Sequence, residues 1–255
     1  MSNSDTTDAS PIPRRFRRAL NISLGFIALL FACFYLQQQF DYQAFTLQPG
    51  VWQGLVGVIT APLLHGSFEH LFSNSFSILI LGTLIGTVYP KAAIRALPVI
   101  WILSGIGTWL LAMGGFHIGA SGIAVGLMFF LMTLGLLRRD RPAIAAAFIG
   151  ILLFGSMLLS VLPQQPDISW EYHLSGALAG ILSAVIWRRA DPAPPRRVYS
   201  WEEEEAEAAD EEAMLEPPRP QEVPVLWHRP ANNDESVVLV FRRPGMNEAP
   251  ERKEP

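Results

Sequence analysis

Three short stretches of this 255-residue chain carry residue types suited to acyl-transfer chemistry. The first holds His65, His70 and Asn74, the second Gly119, Ser121, Gly122 and Gly126, the third His173, Gly176 and Gly180. A serine hydroxyl at its free pKa is a poor nucleophile and needs an adjacent base. A neutral imidazole serves near pH 7, because its unperturbed pKa is about 6.5. Ser121 is therefore the candidate nucleophile and His173 the candidate base. The attacked carbonyl also needs hydrogen-bond donors aimed at its oxygen. His70 and Asn74, four residues apart on one helix face, can both donate. So can the Ser121 N–H if it opens a helix, where backbone N–H groups are unpaired and the dipole is positive.

Each stretch also has a plainer reading. Histidine and asparagine in membrane helices form interhelical hydrogen bonds, and Gly122/Gly126 and Gly176/Gly180 have the spacing of close-packing helix faces. The two readings are compatible. If the helices meet along those glycines, Ser121 and His173 face each other at one level. No third carboxylate is evident, since Asp167 stands six residues before His173 and fits a helix cap better. A two-residue Ser–His dyad is expected. No metal is expected either: there is no His-Glu-x-x-His motif, and Glu69 is out of register with His65 and His70. The single cysteine, Cys33, excludes an internal disulfide or a cysteine metal site. His117, beside the serine stretch, is read as a loop residue.

The elements that must position these groups are apolar helices. Half of the chain is hydrophobic, 16% is charged, and the mean hydropathy is +0.28. A soluble domain is typically about 25% charged. Six apolar runs, at 20–36, 71–88, 96–113, 121–137, 143–162 and 172–187, are near the length of about 20 residues that crosses a bilayer. Their interiors must be helical, because lipid offers no partner for free backbone groups. Arg14, Arg15, Arg17 and Arg18 precede the first run, Lys91 and Arg95 follow the second, Arg138, Arg139 and Arg141 follow the fourth, and Arg188 and Arg189 follow the sixth. The other three connections hold no Lys or Arg. The positive-inside rule then puts both termini in the cytoplasm and those three connections outside. The first run lacks a following small-residue cleavage site and reads as a retained anchor.

The expected fold is thus an all-α membrane protein, a six-transmembrane-helix bundle. Residues 1–18 form a cytoplasmic segment, 19–189 the bundle, and 190–255 a Pro-rich and acidic cytoplasmic tail, largely disordered. Within the tail, 202–216 can form a solvated helix, and 223–227 and 237–241 are strand-like. The long first connection, with Phe40, Tyr42, Phe45 and Trp52, is expected to form short helices at the outer interface.

The three stretches, in order on the second, fourth and sixth spans, resemble the rhomboid family of intramembrane proteases. The resemblance covers about residues 19–189. It implies that the protein hydrolyses a peptide bond in or near the transmembrane segment of membrane-protein substrates. It further implies that Ser121 attacks, His173 takes the proton, His70, Asn74 and the Ser121 amide stabilise the oxyanion, and His65 is structural. The short fourth run, about 25 Å long at 1.5 Å per residue, suits the family's sunken fourth helix. Two positions depart from the family pattern. Val56 and Gly57 stand where a Trp-Arg pair is frequent, and Val125 stands where an aromatic often lies under the histidine ring.

A rhomboid-like protein that binds membrane clients without cutting them is the competing reading, and such relatives usually lose the serine or histidine that this chain keeps. A transporter or channel would need intramembrane charges or broken repeats, and neither is evident. The partners implied are transmembrane substrates and the lipid bilayer, with no cofactor and no nucleic acid. The compact six-span form suggests a bacterial plasma membrane with the site toward the outer side. Substrate identity and oligomeric state stay open.

Overall fold

A computed structural model describes residues 11–163, 168–192 and 200–215, and every regular element among them is helical. Six long helices follow one another: α1 (Pro11–Gln37), α2 (Phe68–Val88), α3 (Pro90–Leu111), α4 (Ser121–Arg138), α5 (Arg141–Phe154) and α6 (Trp170–Trp187). A seventh, α7 (Ser200–Leu215), belongs to a separate unit, and its described side chains are exposed. It coincides with the acidic stretch expected to be a solvated helix. The strand-like runs at 223–227 and 237–241, the first ten residues and Asp167 lie outside the described residues.

Local chemistry sets the helix ends. Ser67 caps α2, its Oγ accepting the His70 N–H at 3.1 Å. Pro90 opens α3 at a position where a missing N–H costs nothing. Arg139, at φ 54°, ends α4 in the left-handed region, and Asp140 at once caps α5 by accepting the Ala143 N–H at 2.9 Å. The run expected to be one helix over 143–162 is divided. It is α-helical from Arg141 to Phe154 and continues as a 3₁₀ helix from Gly155 to Val161.

Five helical segments are long and apolar enough to cross a membrane: Ile12–Gln37, Phe68–Val88, Pro90–Leu111, Ser121–Arg138 and Arg141–Val161. Helix α6 has 18 residues but carries Glu171, His173, Ser175 and Ser183. Its polar and small residues turn inward, while Leu178, Leu182, Val185 and Ile186 are exposed. Helix α4 is the centre of the bundle, every residue from Gly122 to Met128 being buried. It packs most extensively on α6, and α3 also packs on α6. Ile123, Leu127, Met128, Phe130, Leu131 and Leu134 of α4 form one core with Leu81 and Ile85 of α2, Ile100 of α3 and Ala179 of α6.

The long first connection folds into short turns: Gln43–Phe45, Trp52–Val56, Gly57–Thr60 and Ala61–Leu63. Leu47 pairs with His117 in an isolated antiparallel bridge, which ties this connection to the loop before Ser121. At the other end of the bundle, Asp191 accepts the N–H groups of Lys91 and Ala92 at 3.0 and 2.9 Å and so caps α3. The Arg138 guanidinium bonds the carbonyls of Arg188, Asp191 and Pro192, pairs with Asp140 at 2.8 Å and lies over the Tyr89 ring. Burial raises the Asp140 carboxyl, but the Arg138 guanidinium, the Ala143 N–H and the Tyr89 hydroxyl outweigh it and hold Asp140 below its usual range. Residues 191 and 192, placed in the tail by composition, are therefore bound to the bundle, because a helix N-terminus and a buried arginine both need partners they supply.

Candidate active site

The loop before α4 brings the first two stretches together. His65 is fully buried. Its backbone N–H bonds the Gln37 side chain at 3.1 Å, and its carbonyl accepts from the same amide, so α1 clamps it. Its Nε2 accepts the Ala120 N–H at 3.4 Å, immediately before Ser121. Burial first, then the neighbouring His70, push the His65 pKa down to about 4 against a smaller opposing effect of the Leu63 backbone. The ring is therefore neutral near pH 7 and works as a pillar under the serine loop. The His70 ring lies edge-on to it, 5.2 Å between centroids.

His70 and Asn74 both reach Gly119, two residues before Ser121. A Cβ built at Gly119 would lie 2.5 Å from His70 Cε1, 2.7 Å from His70 Nε2 and 3.4 Å from Asn74 Nδ2. Gly119 also has φ +107°, where a side chain is strained. Both facts require glycine there. Asn74 is 5% exposed, yet its Nδ2 has no hydrogen-bond partner. An unsatisfied buried donor costs roughly 1–3 kcal/mol, so a group that arrives to accept from it recovers that cost. Ser121 is the first residue of α4, with its N–H among the unpaired groups of the helix start.

The third stretch reaches the same place through glycine contacts. A Cβ on Gly176 would lie 2.9 Å from the Gly122 carbonyl carbon, and one on Gly126 would lie 2.9 Å from the Gly176 oxygen. A Cβ on Gly180 would lie 3.0 Å from the Phe130 N. Helices α4 and α6 are in backbone contact along this seam, so Ser121, next to Gly122, and His173, one turn before Gly176, start their helices side by side. His173 is 8% exposed and lies near enough to His70 to interact with it electrostatically. Among the described residues no hydrogen bond joins Ser121 to His173. Such bonds are often long before substrate binds.

Several partners were invisible in the sequence. The Tyr172 ring is buried against Gly122, where a Cβ would meet it at 3.0–3.1 Å. An aromatic beside the serine is thus supplied from α6, one residue before the histidine, and not from position 125. Helix α6 is capped by Ser169, whose Oγ accepts the Tyr172 N–H at 3.3 Å. The same hydroxyl lies 2.6 Å from His117 Nδ1, so His117 links the serine loop to the start of α6. Ser160, in the 3₁₀ stretch, lies 2.8 Å from His173 Nδ1. The only hint of these was general: a buried imidazole needs a partner for each nitrogen. No group of three or more metal-ligating His, Cys, Asp or Glu side chains occurs among the described residues.

Residues 50–190 match the Rhomboid domain. An uncharacterized protein of Mycobacterium tuberculosis is 36% identical over 194 residues, which is 71% of this chain and 80% of that protein. An uncharacterized protein of Mycobacterium leprae is 33% identical over 141 residues, 52% of this chain and 56% of its own length. A protein of Acanthamoeba polyphaga mimivirus whose name includes the word rhomboid is 28% identical over 141 residues, 52% of this chain and 75% of its own.

Proposed function

Because the chain belongs to the rhomboid family and is an integral membrane protein, we propose that it is an intramembrane serine endopeptidase acting on membrane-protein substrates. The observation that carries this reading is the orphaned Asn74 Nδ2, buried beside His70 and Gly119 at the approach to Ser121. A donor left unpaired at that place suits an oxygen that develops charge only during reaction.

In this reading the Ser121 hydroxyl attacks the scissile carbonyl carbon while His173 Nε2 takes its proton. The oxyanion accepts from Asn74 Nδ2, from His70 and from the Ser121 N–H. Collapse expels the amine, which takes the proton from His173, and water then releases the acyl group by the same steps. All six helices α1–α6 span the bilayer in this reading, with α6 carrying the base together with Glu171 and inward serines. The basic residues near the starts of α1 and α3 and at the ends of α4 and α6 support cytoplasmic termini. The site then opens toward the outer side of a bacterial plasma membrane.

A fluorophosphonate probe applied to the detergent-solubilised full chain tests the reading. Labelling that is lost in both Ser121→Ala and His173→Ala is the expected result. A folded wild type that takes no label would favour binding of membrane clients without cleavage, and would refute the protease reading.

A further inference from the structure

The Nδ1 nitrogen of His173 has a partner that no motif supplies. Ser160 is half-buried in the 3₁₀ stretch Gly155–Val161. In a 3₁₀ helix residues three apart lie over one another, so the Ser160 hydroxyl reaches back to the Met157 carbonyl, at 2.7 Å. The same oxygen lies 2.8 Å from His173 Nδ1.

We propose that Ser160 is a positioning residue for His173, holding the imidazole in the tautomer that leaves Nε2 free to act as a base. The inference rests on the protease reading above. It follows from counting protons. A serine hydroxyl has one proton, and a carbonyl oxygen can only accept. The proton shared with Met157 is therefore donated by Ser160. The lone pairs of Ser160 then remain for His173, and the contact is a hydrogen bond only if Nδ1 carries the proton. The other tautomer would set the Nδ1 lone pair against the serine lone pairs, or would turn the hydroxyl to donate to Nδ1 and so give up the bond to Met157. With the proton on Nδ1, Nε2 carries the lone pair. The same bond strengthens once Nε2 has taken the serine proton, because its donor is then a cation. Ser160 thus does with a neutral oxygen part of what a carboxylate does in a Ser-His-Asp triad: it orients the ring and selects the tautomer. The base does not stand in a bare dyad.

The test compares an isosteric pair that differs in the hydroxyl, Ser160→Thr and Ser160→Val, in the detergent-solubilised full chain. The reading is the rate of fluorophosphonate labelling, resolved into probe affinity and the rate of the bonding step. The expected result is that Ser160→Thr stays within about threefold of wild type. Ser160→Val should slow the bonding step about ten- to a hundredfold, the worth of one hydrogen bond to a charged group, with probe affinity unchanged. A merely structural role would move both variants together, since both add the same branch. If either fails to fold, Ser160→Ala, which lacks the hydroxyl and adds no branch, is compared with wild type, which keeps it. Equal bonding rates in folded variants with and without the hydroxyl would overturn the proposal while leaving the protease reading intact. Failure of the wild type to label, or full labelling of Ser121→Ala, would instead remove the premise.

Discussion

Replacing Gly176 with alanine tests whether the contact between α4 and α6 sets the catalytic geometry. The added Cβ would lie 2.9 Å from the Gly122 carbonyl carbon and also against its oxygen. Carbon atoms settle about 3.5–4.0 Å apart, so the two backbones must separate by at least roughly 0.6–1.1 Å at that point, the oxygen contact being the tighter of the two. Neither partner is a flexible side chain, and the strain cannot be absorbed by a rotamer change. His173 precedes Gly176 by three residues on the same rigid helix and moves with it, away from Ser121. A misplacement of about 1 Å costs about a hundredfold in rate, and overpacking of this kind costs about 1–3 kcal/mol of stability. Gly176→Ala should therefore label with fluorophosphonate about ten- to a hundredfold more slowly than wild type, at a lower melting temperature. Gly25→Ala on α1 is the control, because nothing lies within 4 Å of its added Cβ, and it should keep wild-type activity. Wild-type labelling by Gly176→Ala would show that the seam packs the bundle without positioning the dyad.

Three further outcomes follow from the same geometry. Asn74→Ala should lower activity about 10²–10³-fold, the cost of one oxyanion donor in a soluble serine protease. Its melting temperature should not fall in step, because Nδ2 has no partner to lose; a large loss of stability would show that Asn74 is a packing residue. Asp191→Ala should cost about 1–2 kcal/mol, since it removes the cap from α3, and a chain truncated after residue 189 should be less stable than one ending at 192. Finally, His65 has its pKa lowered to about 4 in the folded protein, against about 6.5 unfolded. The unfolded chain then binds more protons between those values. The stability from a neutral His65 is complete above about pH 6.5 and is lost as pH falls toward 4, by on the order of 3 kcal/mol at most. Thermal melts of wild type across that window should show the decline, and His65→Gln should make it shallower; parallel slopes for the two would assign the decline to other groups.

Much of the bundle was legible because lipid imposes a simple rule: backbone groups must be paired within the segment, so a long apolar run has one available structure. The boundaries were less legible. Helix α5 gives way to a 3₁₀ turn at Gly155 inside an unbroken apolar run, and hydropathy does not register a change of hydrogen-bond register. The end of the bundle was missed by a few residues for a similar reason. Asp191 reads as the start of a polar linker, and only its distance to the α3 amides shows that it is a cap.

Residue types and order determined the candidate serine, histidines and asparagine, the resemblance that connects them, and the glycine spacing that lets two helices approach. Tertiary structure decided which groups meet. It set His65 under the serine loop through Gln37 and Ala120, brought the Tyr172 ring to Gly122 from a different helix than the one on which the family pattern places its aromatic, and delivered Ser160 to His173 from the end of a stretch that reads as one apolar helix. The physical reason is the same in each case. Periodicity and composition report the average environment of a face, whereas a hydrogen bond depends on the position of single atoms from segments far apart in the chain.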